Sequence, residues 1–183
     1  CKTDHRSKMN NGAKIMNIKR KLAAVIALLV LCAISGVVMA QEPPPRPVTI
    51  TYNSSQPLAF GAFSPGAAGG TVTVNPDGTR SSAGDIVLLS LGFAYTPAMF
   101  YIEANEGTVL SILIDPPVTL TGSGGGTITL QAEGTLPTSP FVTTVPWPEK
   151  TTVLVGGILT IGNIVANPPG NYTGNFSITL VQE

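Results

Sequence analysis

Beyond residue 40 the sequence has no cysteine, no histidine and only three cationic residues, Arg46, Arg80 and Lys150. Without imidazole or thiol there is no general base poised near neutral pH, no thiol nucleophile, no disulfide and no transition-metal ligand set. Catalytic, metal and cofactor sites are therefore not expected, and neither is an enzyme. Three cations cannot neutralise the many phosphates on which nucleic-acid affinity rests, so nucleic acid is not an expected partner. Nine carboxylates against those three cations give residues 41–183 a net charge of −6, although the full 183-residue sequence is formally neutral. The difference lies in residues 1–40, which hold seven of the ten basic groups together with His5, Cys1 and Cys32.

Residues 1–40 read as a leader. Residues 1–15 begin with Cys and are taken as an upstream extension of the reading frame. From Met16 to Ala40 the pattern is that of a secretory signal peptide: Lys19-Arg20-Lys21, then an unbroken apolar run from Leu22 to Ile34, then Ser35-Gly36 and a small-residue site ending at Ala40. The competing reading is a retained anchor, since Leu22–Ala40 is long enough to span a bilayer. The Ser-Gly break and the following Gln-Glu-Pro-Pro-Pro favour cleavage before Gln41. The expectation is an exported protein, at the periplasm, cell surface or outside the cell, with no membrane contact after cleavage.

Residues 41–183 suit one domain. They contain 18 Gly and 16 Pro, but Ile, Leu, Val and Phe total 40, enough for a core. The apolar residues alternate with period two, and Gly and Pro fall between the runs as turns do. Residues 41–47 are a Pro-rich, extended lead-in, and residues 48–183 are expected to form one antiparallel β-sandwich of the immunoglobulin-like or pilin-like kind, with eight to ten strands. Val72, Val74, Phe100, Ile102, Ile112, Ile128, Val155, Leu159, Phe176 and Ile178 are expected to be buried. Ile86–Leu89 and Leu110–Ile114 suit strands buried on both faces or at a sheet centre. Tyr172–Val181 keeps one parity and reads as a single long strand. Asn75-Pro76-Asp77-Gly78 and Gly122–Gly126 are expected turns, and Gly134–Glu149 a crossing between sheets.

Few side chains invite a chemical role. Glu103 and Glu106 are the nearest carboxylate pair, and a solvated strand end with its turn explains them better than glycoside hydrolysis. Asp77 lacks the further oxygen ligands of a calcium site. Gly122–Gly126 resembles a phosphate loop only superficially, because no helix follows. Trp147, between two prolines and near Lys150, either caps the end of the sandwich or stacks on a sugar or a partner.

Leu58–Phe63, Gly69–Val74 and Asn75–Arg80, followed by Leu154–Gly162 and Pro169–Thr179, resemble the opening and closing blocks of a bacterial secreted family, domain of unknown function 4402. The likeness covers about residues 48–183. It departs at Ile158, where a polar residue is usual, at Asn167-Pro168, and at the end, Leu180–Glu183, which has no aromatic. The Pro169–Thr179 ending is also similar to the last strand of spore-coat-U-like and other fimbrial subunits. That resemblance implies an incomplete sandwich completed by a strand from a chaperone or from the next subunit.

Two functions remain. One is a structural or adhesive surface protein, a pilus-type subunit that self-assembles, or meets a periplasmic chaperone, by strand addition. Val48, Ile50 and Tyr52 are its candidate donor strand, unless they form the first strand of their own domain. The other is a self-contained glycan- or protein-binding module using Trp147 with Tyr95 or Tyr101.

Overall fold

The computed structural model describes residues 46–183. The expected extension, signal peptide and residues 41–45 of the lead-in lie outside the described residues. The described chain is all-β, with thirteen strand segments and every ladder antiparallel. They are β1 (Thr49–Tyr52), β2 (Ala59–Phe60), β3 (Ala62–Val74), β4 (Arg80–Leu89), β5 (Tyr95–Thr96), β6 (Ala98–Glu103), β7 (Val109–Ile114), β8 (Val118–Gly122), β9 (Thr127–Leu136), β10 (Phe141–Val142), β11 (Thr151–Ile161), β12 (Tyr172–Thr173) and β13 (Ile178–Gln182). The count exceeds the eight to ten expected because chain runs that pass from one sheet to the other are broken at the crossing.

The large sheet runs β1-β6-β11-β9-β8-β12, with the β3–β4 hairpin joined to the far half of β11. β11 is its axis. Thr151–Val155 pairs with β6 and Gly157–Ile161 with β3, while β9 lines the other side across a register shift at Val155/Gly156. At that shift a Cβ on Gly156 would sit 2.5 Å from the Val74 carbonyl, so the close approach requires glycine. The second layer is the small sheet β10-β7-β13, and β2 pairs with β5 separately. The Gly134–Glu149 stretch does cross between sheets, since β9 lies in the large sheet and β10 in the small one.

Two apolar clusters fill the interior. One holds Ala98, Ile102, Leu110, Ile112, Phe141, Val153 and Val155 between the two sheets. The other holds Phe60, Val72, Val74, Ile86, Leu120, Ile128, Leu130, Leu159 and Ile161. Seven of the ten expected core residues are buried, and Phe100, Phe176 and Ile178 are only half-buried. They flank a stretch that the small sheet does not cover. Neither Ile86–Leu89 nor Leu110–Ile114 is buried on both faces, but Leu110–Ile114 does lie at a sheet centre, in the middle strand of β10-β7-β13. Val87 and Leu113 point outward, because each sheet has a single interior face. Tyr172–Val181 is not one strand: it pairs with β8 at Tyr172–Thr173, has no strand pairing from Gly174 to Ser177, and joins β7 from Ile178.

The turn at Asn75–Gly78 forms as expected. Asp77 Oδ1 accepts hydrogen bonds from the Thr79 amide and hydroxyl at 2.9 and 2.6 Å. The Thr79 hydroxyl bond, then the amide bond, holds the exposed Asp77 carboxyl below its ordinary 3.8. A lowered carboxyl pKa adds stability above the unfolded value and loses it as pH falls through the folded one. Asp77→Asn should therefore be less stable than wild type above pH 3.8, with the gap closing in more acidic solution. Urea unfolding at about pH 6 and about pH 2.5 checks this.

Candidate functional site

The β7–β8 run and the β12–β13 run travel side by side and change sheets together. Tyr172 faces Gly122 and Ile178 faces Ile114, so the register slips by two residues at the crossing. Both β12 and β13 end their sheets, so this C-terminal run has an edge without a strand partner among the described residues. The Asp115 amide donates to the Ser177 carbonyl, and the Glu183 amide to the Val109 carbonyl. By the alternation of an antiparallel ladder, Thr179 and Val181 also turn their backbone groups towards β7. Ile178, Leu180 and Gln182 turn theirs to the free edge.

Alongside that edge lies a half-open groove of about 1450 Å3. Its floor is the inner face of the large sheet, with Leu120, Ile128, Leu130, Leu159 and Ile161. One wall is the C-terminal run from Pro168 to Ile178, including Tyr172 and Phe176. The other is Pro57–Pro65 with Leu89, Leu91 and Phe93. Leu91 and Phe93 are about two-thirds exposed, at 64% and 65%, so this rim is apolar to the outside. At one end the aromatics Tyr52, Phe100 and Phe176 meet in sequence, with centroids 5.5 and 6.4 Å apart. Among the described residues no charged side chain lines the groove. It is the gap left where the second layer stops short.

The candidate donor strand lies at the rim of this groove in its own domain. Ile50 and Tyr52 face Ile102 and Phe100 across the β1–β6 ladder, and Val48 packs on the inter-sheet cluster. Every residue of β1 is exposed, Ile50 by 37% and Tyr52 by 48%. So short an edge strand, with exposed side chains, is held mainly by its ladder.

Trp147 is half-exposed, and the Arg46 guanidinium sits 4.1 Å from its ring centroid. Lys150 bonds Glu103 at 3.2 Å and lies 5.8 Å from the Tyr101 ring. Tyr95 is elsewhere, in β5 against Arg80. The structure thus brings Tyr101, not Tyr95, to the Lys150 neighbourhood, and every cation of residues 46–183 covers an aromatic ring. Glu106 sits in the Asn105–Thr108 turn. Among the described residues, no three His, Cys, Asp or Glu side chains are grouped for a metal ion.

Sequence reasoning passed over most of the groove. Phe60, Phe63, Leu91 and Phe93 are not among the candidate site residues above, and the signal available was large apolar residues, three of them outside long strands, with Phe60 in a two-residue ladder and Leu91 and Phe93 in a loop. Comparison with curated proteins and with solved structures finds no match. The family described as Domain of unknown function (DUF4402) matches residues 49–181, nearly the whole described chain, and the protein belongs to that family.

Proposed function

We propose that this protein is an exported, non-enzymatic structural or adhesive subunit that assembles by accepting an extended strand into its open groove. The observation that carries the reading is the pairing of two unmet needs at one place. Among the described residues the C-terminal run has unpaired backbone groups, and beside it the core lies open under an apolar groove. A strand laid there supplies hydrogen bonds along the edge and alternate side chains for the groove. At about 1450 Å3 the groove exceeds the roughly 300–1,000 Å3 typical of small-ligand pockets and is half-open, which suits a chain segment better than a compact ligand. Its neutrality suits an apolar strand.

The donor in this reading is Arg46–Tyr52 of a second copy. Val48, Ile50 and Tyr52 alternate with Thr49 and Thr51, and in their own domain Ile50 and Tyr52 are exposed on a four-residue edge strand while Val48 is half-buried on the inter-sheet cluster. A periplasmic chaperone strand is the other occupant with the same chemistry. Light scattering of the exported protein over a hundredfold concentration range tests the proposal. Concentration-dependent oligomers support self-assembly, oligomers or complexes only with a chaperone support the second occupant, and a monomer throughout that binds no strand contradicts both. A second reading, a glycan- or protein-binding module, draws on half-exposed Trp147. It requires the ligand to share or displace Arg46 from the ring.

A further inference from the structure

β4 has ten residues and would span about 33 Å if straight. Yet the Arg80 side chain, at its first residue, reaches the carbonyl of Leu89, at its last, with Nη2 at 3.5 Å. An arginine covers only a fraction of that length, so the β3–β4 hairpin folds back on itself. The bend is visible where it occurs. Gly84 has φ of +75°, the Ser82 hydroxyl lies 3.4 Å from the Ile86 carbonyl, and the β3–β4 register breaks between Pro65 and Gly70. At the bend Gly84 meets Gly69 and Gly70 with no room for a Cβ.

The folded-back half of the hairpin, with β2 and the segment from Leu89 to Ala94, is the groove wall opposite the free edge. Arg80 holds it at four points. Nη1 donates to the carbonyls of Phe60 at 3.0 Å and Ala62 at 3.4 Å, Nη2 to that of Leu89, and the guanidinium sits 4.4 Å from the Tyr95 ring centroid. Among the described residues no carboxylate pairs with it. Gly61, with φ of +68°, passes so close that any Cβ would overlap the guanidinium. A planar fork with five donors can bridge several carbonyls and stack on a ring at once, and an ammonium cannot.

We propose that Arg80 is the positioning residue of the groove: it staples the folded-back wall to the start of β4 and so fixes the width into which a strand inserts. This rests on the strand-accepting reading above and assigns to one side chain the task of keeping the groove preformed. The test compares wild type, Arg80→Met and Arg80→Lys, using a synthetic peptide of the Arg46–Tyr52 sequence and amide hydrogen exchange. Arg80→Met should bind the peptide roughly tenfold more weakly or worse. Lys should resemble Met more than Arg, because it loses the fork. Exchange should quicken at residues 59–65 and 86–95 while β9 and β11 keep their protection. A residue with a merely general structural role would instead loosen β9 and β11 too. Equal peptide affinity in wild type and Arg80→Met, or uniform loosening, would overturn the staple. Failure of the wild type itself to bind the peptide would overturn the strand-accepting reading, a distinct outcome.

Discussion

Truncating Leu110 to Ala is expected to destabilise the isolated domain by about 2–5 kcal/mol, the range for deleting a buried leucine. Leu110 is fully buried, in the middle strand of the small sheet, within the cluster that joins the two sheets. Against a typical stability of about 5–15 kcal/mol, the loss is a third or more of the margin in many cases. Phe176→Ala provides the contrast. Phenylalanine is larger, and full burial would place its loss at about 3–5 kcal/mol. Phe176 is only half-buried, at the groove wall, so its truncation should cost the monomer less than Leu110→Ala. Chemical denaturation of both variants decides it. A larger loss at Phe176 would mean that the groove is closed in solution.

The second large effect concerns assembly. Changing Val48 and Ile50 together to Asp is expected to weaken assembly by on the order of a hundredfold or more, because two carboxylates would enter an apolar groove without partners. The isolated domain should tolerate the change far better. Ile50 is 37% exposed where it stands, Val48 is half-buried, and β1 is an edge strand. Deleting residues 41–52 should likewise leave a folded body that no longer assembles, and the Arg46–Tyr52 peptide added back should stabilise it. Sedimentation of the double variant beside wild type reads the effect. If the double variant assembles normally, Arg46–Tyr52 is not the donor. If it fails to fold, β1 carries far more of its own domain than its exposure indicates.

The strand pattern was legible because side-chain alternation depends only on the chain's own parity. Val72, Val74, Ile102 and Val155 follow it and are buried. What parity cannot show is whether a second layer covers a given inward face. Phe100, Phe176 and Ile178 point inward, but the small sheet ends at β13 and leaves them half-buried. The same limit hid the break in the last strand, because a run can keep its parity while it changes sheets. The fold-back of β3–β4 was written in the sequence only as glycines at 66, 69, 70 and 84, which read equally well as ordinary turn punctuation. Arg80 was counted as a charge. Its role depends on a bend that brings residues 60, 62 and 89 to it, and no local spacing announces that. The Gln41–Pro47 lead-in was legible only as a run of prolines, and the signal-like segment before it as an order of cationic, apolar and small residues.

The most direct test of the strand-accepting account is residue-resolved amide exchange along β13, compared between isolated domain and assembled or peptide-bound protein. In the isolated domain Thr179 and Val181 bond to β7, while Ile178, Leu180 and Gln182 point to the free edge. The account predicts that Thr179 and Val181 are protected in both states. Ile178, Leu180 and Gln182 should exchange fast in the isolated domain and become protected on assembly or peptide binding. Assembled protein in which those three amides still exchange as fast as in the monomer would contradict it.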